Sequence, residues 1–141
     1  MSRAAIRNQL LQRLTDDDFA ALEPLLERVT LTDQQDLSMP GAVIEHLHFP
    51  ESGICSIEAI APGSEAIEVG LVGWEGVTDH VMDRGDRSVL RVFVQVPGSA
   101  LAVRAHEYAD WIAGRPHALR LMVRYQQAMT IQISYLSLIH I

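Results

Sequence analysis

The chain has 141 residues, 48% of them apolar, with 11 basic and 18 acidic side chains and a net charge of −7. That is enough for one domain with a core and little more, and the acidic balance excludes nucleic-acid binding by the chain as a whole, since phosphates are held by cations. Every basic residue is Arg, the lone Cys55 excludes an internal disulfide framework, and the N-terminus MSRAAIRNQLLQRL lacks the apolar h-region of an exported protein, so a cytoplasmic location is expected.

Ile6, Leu10, Leu11 and Leu14 recur at helical spacing and predict an amphipathic helix over Ala4–Leu14. Thr15 followed by Asp16, Asp17 and Asp18 reads as an N-cap with acids where the helix dipole favours them. The helix that follows turns Phe19, Leu22, Leu25 and Leu26 inward, and Pro24 limits it to short pieces or a kink. After Arg28 the period falls to about 2. Strands are predicted over Arg28–Leu31, Val43–Phe49, Gly53–Ala61, Glu65–Val72, Leu90–Val96 and Ala100–Val103, punctuated by the turns MPG, FPESG, APGSE and VPGS. Short, evenly spaced strands without helical crossovers imply an antiparallel sandwich or barrel.

Helical spacing returns in AHEYADWIAG, which Gly114 ends, and Pro116 opens a longer helix. In that helix Leu119, Met122, Gln126, Met129, Ile133, Leu136 and His140 alternate spacings of three and four, the pattern of a coiled-coil seam. Leu121, Tyr125, Ala128 and Tyr135 form a second stripe, so one stripe can cover the domain and the other a second chain. The stretch TIQISY within it alternates as a strand would. The run from Ala128 to Ile141 is too short and too polar to span a bilayer.

Two groups of residues could carry chemistry. His46 and His48 share one face of a strand, and with Glu51 they resemble the first metal motif of the cupins. The second cupin motif would need a further histidine, and His106 falls in a predicted helix. The competing reading makes Leu47 and Phe49 the core residues and turns His46 and His48 into water. Cys55 reads as a small buried hydrophobe, and no nucleophile elbow or ordered triad is present.

In order along the chain, RNQLLQRLTDDDFAALEPLLERVTL, IEHLHFPESGICSIEA, EAIEVGLVGWEGV, RSVLRVFVQVPGSAL and the long helix after Pro116 resemble the sensor part of Crp/Fnr-type transcriptional regulators, the family of the cyclic AMP receptor protein. The resemblance implies a mainly β chain with flanking helices: an antiparallel β jelly roll, the cyclic-nucleotide-binding-like double-stranded β-helix, with N-terminal helices and a long C-terminal helix. It implies a sensor domain over residues 1–114 and the start of a dimerisation helix over 115–141, pairing through Leu119, Met122, Gln126, Met129, Ile133 and Leu136. DNA would be read by a helix-turn-helix domain that this sequence does not contain. The expected function is effector sensing, not catalysis, with an unidentified small-molecule effector and no cofactor. A cupin-like metalloenzyme on His46, His48 and Glu51 is one alternative, and a cyclic-nucleotide-binding module regulating another protein is a second.

Family members that bind cyclic nucleotides carry a Gly–Glu pair for the ribose and an Arg–Ser/Thr pair for the phosphate. The matching residues are Gly73, Glu75, Gly76, Arg87 and Ser88. Trp74 separates Gly73 from Glu75 and sets the carboxylate one place out of register, and the side chains between Gly73 and Ser88 sum to −2. Both features oppose a bound anion. Trp74, a large aromatic at a turn, is expected to pack as a plug.

Overall fold

The computed structural model describes residues 3–60, 63 and 65–139, with side chains described as far as residue 134. The predicted first helix is broken. A 3-10 turn, Arg3–Ala5, is followed by an extended stretch and then α1 (Gln9–Arg13). Asn8 causes the break: its backbone is extended, and its side-chain oxygen accepts the N–H groups of Leu10 and Leu11 at 3.1 and 3.2 Å. An Asn side chain that captures backbone donors starts a helix at that point and cannot sit inside one. Ile6, Leu10, Leu11 and Leu14 are nonetheless all buried, as their spacing implies. Thr15 caps α2 (Asp16–Leu22) by accepting from Asp18 N at 3.2 Å, and Pro24 sits in the 3-10 turn Glu23–Leu25 that ends it.

Among the described residues seven strands form two antiparallel sheets. β1 (Glu27–Leu31), β7 (Gly98–Arg104) and β3 (His46–Pro50) make one, in that order. β2 (Asp36–Ser38), β6 (Arg91–Val96), β4 (Ile54–Ile60) and β5 (Ala66–Val72) make the other. This is the expected jelly-roll architecture with flanking helices. The predicted strand over Val43–Phe49 starts only at His46, because Val43 pairs outside the sheets, in an isolated bridge to Arg87. β2 has no counterpart among the predicted strands.

α3 (Ala105–Ile112) leads through Gly114, at φ +77, into α4 (Pro116–Ile139). The backbone of TIQISY is helical throughout. α4 crosses β5 at Gly70, where an added Cβ would lie 3.5 Å from Met129 Sδ and 3.7 Å from Ile133. One core cluster joins the N-terminal helices, α3 and the start of α4 to the first sheet, and includes Leu11, Leu47, Tyr108 and Met122. The other, with Cys55, Ile57, Val94 and Met129, lies between the sheets and under α4.

The expected pairing seam is corrected here. Met122 is 1% exposed and Met129 8%, with Leu119 and Ile133 packed against the same clusters, so this stripe covers the chain's own core. Leu121 and Tyr125 of the second stripe also pack on the core, whereas Ala128 is exposed. Both stripes thus belong to one wide inward arc, the kind a helix needs when it lies across a sheet instead of along a single partner. The outward arc holds Arg120, Arg124, Gln127, Thr130, Ile131 and Ser134, all exposed. The side chains of Tyr135 and Leu136, and all of His140, lie outside the described residues. Among the described residues no helix is long and apolar enough to cross a membrane.

Candidate functional site

The residues matched to a phosphate cassette are split between two places. Gly73 and Glu75 line a hollow with Arg7, Ser52 and Trp74, while Arg87 and Ser88 line a different one, under α4. Glu75 folds back on its own turn, accepting Gly73 N at 3.0 Å, and Gly76 N closes that turn on Gly73 O at 3.1 Å. Gly76 sits against the Tyr125 ring so closely that a Cβ there has no room. Trp74 is 52% exposed, which corrects the expectation of a plug; its carbonyl accepts Gln9 N at 2.7 Å.

Arg87 is also committed elsewhere. Its guanidinium donates to Gly41 O at 2.7 Å on the surface, and Ser88 Oγ donates to Leu90 O at 2.6 Å. Backbone bonds from Gly41 N to Ser88 O and from Ser88 N to Ala42 O complete a clasp around the Met39–Ile44 loop. The pair that would hold an anion instead fastens two loops together.

The metal alternative is likewise dispersed. Glu51 is 3% exposed and accepts Arg7 N at 2.8 Å and Asn8 N at 2.6 Å, with Arg28 at 3.5 Å. Asn8 donates its amide to Pro50 O at 2.9 Å and Gly76 O at 2.8 Å. Glu51 is therefore the buried anchor of the N-terminal segment. His46 and His48 share a face, their rings 6.3 Å apart, but they do not both point into water. His46 is exposed, whereas His48 is partly buried with an unpartnered Nδ1, and burial followed by the charge of His46 pushes its pKa down to about 4. Among the described residues no group of three or more His, Cys, Asp or Glu side chains is placed to hold a metal. Cys55 is buried as expected, and burial pushes its thiol up to about 11, which leaves it inert.

A cavity lies under α4, between that helix and the second sheet. It measures about 180 Å³ and is closed above by Gln126, Met129 and Ile133 and below by Ile57 and Val92. Its polar wall is Thr78, Asp79, His80, Arg87 and Ser88. Asp79 is 9% exposed and accepts Ser38 Oγ at 2.5 Å. Burial outweighs the hydrogen bonds from Ser38 and Thr78 and pushes its pKa up to about 6. Burial also lowers the pKa of His80, against the opposing charge of Asp86.

Sequence reasoning missed Asp79 and Ser38. The available signal was Val77-Thr-Asp-His-Val81, whose two ends are both buried, so that the acid between them sits in a segment lying on the core. Surrounded by other acids it reads as part of a charged loop.

No protein-family model and no curated protein matches the sequence. Solved structures do match in fold. A CooA variant from Carboxydothermus hydrogenoformans is similar at TM-score 0.70 and 10% identity over 99% of this chain and 87% of that one. The Thermus thermophilus catabolite activator protein is similar at TM-score 0.69 and 16% identity over 92% of this chain and 61% of that one. The sensor domain of the transcriptional regulator DNR from Pseudomonas aeruginosa is similar at TM-score 0.64 and 16% identity over 89% of this chain and 85% of that one. The fold is that of the sensor domains of Crp/Fnr-type regulators.

Proposed function

We propose that the chain is the effector-sensing and dimerisation part of a cytoplasmic Crp/Fnr-type transcriptional regulator, and not an enzyme. Residues 1–114 serve as the sensor and 115–141 begin the paired helix, although Ala118 and Met122 share the sensor's core. The observation that carries the reading is the two-sidedness of α4: Gln126, Met129 and Ile133 roof the cavity while Gln127, Thr130 and Ile131 face out. An effector that touches the roof favours one setting of α4 over another, the differential contact that a population shift requires. Two chains related by a two-fold axis would set their outward arcs together, so that a reset of α4 changes the angle between them. Reading DNA is left to a helix-turn-helix unit outside these 141 residues, because a net charge of −7 is unsuited to phosphate.

A cyclic nucleotide is not the effector this geometry favours. Arg87 and Ser88 are engaged with backbone carbonyls, and a cavity of about 180 Å³ is small beside the roughly 300 Å³ and more of typical ligand sites. The metalloenzyme alternative loses Glu51 to its anchoring role. Sedimentation equilibrium on the 141-residue chain tests the pairing, with a monomer at every concentration as the contrary result. Calorimetry with cyclic AMP tests the effector class: no saturable heat is expected, and stoichiometric binding would restore the nucleotide module.

A further inference from the structure

The cavity under α4 is lined by a carboxylate, Asp79, and by one arginine, Arg87, that forms no ion pair with it. Among the described residues Asp79 takes part in none of the ion pairs. The chain has no Lys, and the one arginine that lines the cavity, Arg87, sends its guanidinium to Gly41 O. Burial disfavours a charge on His80, and the carboxylate whose charge acts on it is Asp86, not Asp79. A carboxylate has lone pairs for about four hydrogen bonds, and the donors to Asp79 are Ser38 and Thr78, which leaves lone pairs open. A buried charge without a counterion is costly, and that cost is what an incoming cation relieves.

We propose that this cavity binds a small organic ammonium ion, whose N–H donors take the free lone pairs of Asp79 while a short aliphatic tail lies against Ile57, Met129 and Ile133. The inference rests on reading the cavity as the effector site and names the ligand class for it. Charge disfavours anions, because a carboxylate or phosphate would meet Asp79 while the guanidinium of Arg87 is engaged by Gly41 O. Size selects against large ligands: about 180 Å³ is small beside the roughly 300 Å³ and more of typical ligand sites, which points to an ammonium head on a short branched chain. The aliphatic wall gives the tail apolar contact on both the sheet and α4, so the ligand would bridge the fixed and the movable sides of the cavity.

Three probes of nearly equal shape test this on the full chain at neutral pH: isobutylammonium, isobutanol and isobutyrate, followed by the methyl resonances of Met129 and Ile133. Saturable shifts are expected with isobutylammonium at an affinity about tenfold or more above isobutanol, and none with isobutyrate. Asp79→Asn should bring the ammonium and the alcohol to equal affinity, and its melting curve establishes that it is folded. The proposal is overturned if isobutanol or isobutyrate binds as tightly as the ammonium, or if Asp79→Asn keeps the preference; the cavity then remains a ligand site of another class. If none of the three probes moves either methyl, the effector-site reading itself fails and takes the proposal with it. The comparison of probes on the unaltered chain stands whether or not the variant folds.

Discussion

Ile131→Glu should convert a dimer of this chain into a monomer without unfolding it. Ile131 lies on the outward arc of α4 and is 71% exposed. Fully burying an Ile side chain contributes about 1.5–3 kcal/mol, so the exposed share offers about 1–2 kcal/mol per copy and about 2–4 kcal/mol per symmetric pair. Losing that weakens dimerisation by about 30- to 700-fold, and two glutamates facing each other across a two-fold axis weaken it further. Sedimentation equilibrium measures the constant, and a thermal melt of the same sample monitors the fold. Met129→Ala is the contrast, because Met129 is 8% exposed against the sheet. It should cost the folded chain about 2–5 kcal/mol and leave the outward arc intact. A dimer constant unchanged by Ile131→Glu would refute this face, and so would a melt that collapses with Ile131→Glu but not with Met129→Ala.

Asn8→Ala removes a helix cap worth about 1 kcal/mol and leaves the buried carbonyls of Pro50 and Gly76 without donors, about 1–3 kcal/mol more. Urea unfolding should record a loss of about 2–4 kcal/mol, and a loss below that of an ordinary surface substitution would deny Asn8 its anchoring role. His48 and Asp79 give opposite pH dependences. His48 is lowered from 6.5 to about 4, so the unfolded chain binds the extra proton and stability falls as pH drops from 6.5 to 4, by up to about 3 kcal/mol. Asp79 is raised from 3.8 to about 6, so the folded chain binds the proton and stability falls as pH rises from 3.8 to 6, by a similar amount. The two nearly cancel between pH 4 and 6. His48→Gln should therefore grow more stable on acidification across that window and Asp79→Asn less stable; denaturant midpoints with parallel slopes would contradict both assignments.

The β region was largely legible because one-sided burial writes a period of two. Leu47 and Phe49 are fully buried on β3 while His46 is exposed and His48 half-buried, and on β6 the buried Val92 and Val94 alternate with half-buried Arg91 and Phe93. β2 was not legible: it has three residues with only Leu37 apolar, and its pairing with β6 is irregular. On α4 the spacing identified Met122 and Met129 as apolar contacts but could not say against what. Periodicity records that a residue is buried, and the crossing angle of a helix over a sheet decides whether two stripes are two faces or one. The site was least legible because its parts are held by pairings far apart in sequence. Arg87 reads as half of a phosphate pair until the Gly41 carbonyl occupies it, and Glu51 reads as a metal ligand until the backbone of Arg7 and Asn8 arrives.

The two tryptophans of the chain give it an internal optical gauge. Trp111 is 5% exposed, with its indole N–H on Asp18 O at 2.9 Å and Tyr108 5.7 Å away, so it emits as a dry, immobile fluorophore. Trp74 is wet, and its turn is tied on one side to Gln9 and on the other, through Gly76, to the Tyr125 ring of α4. Any shift of α4 that moves Tyr125 is thereby passed to the solvent-facing indole, while the buried one stays shielded from the quencher. Acrylamide quenching of the red-shifted component, referenced to the blue one in the same spectrum, thus follows the helix without a label.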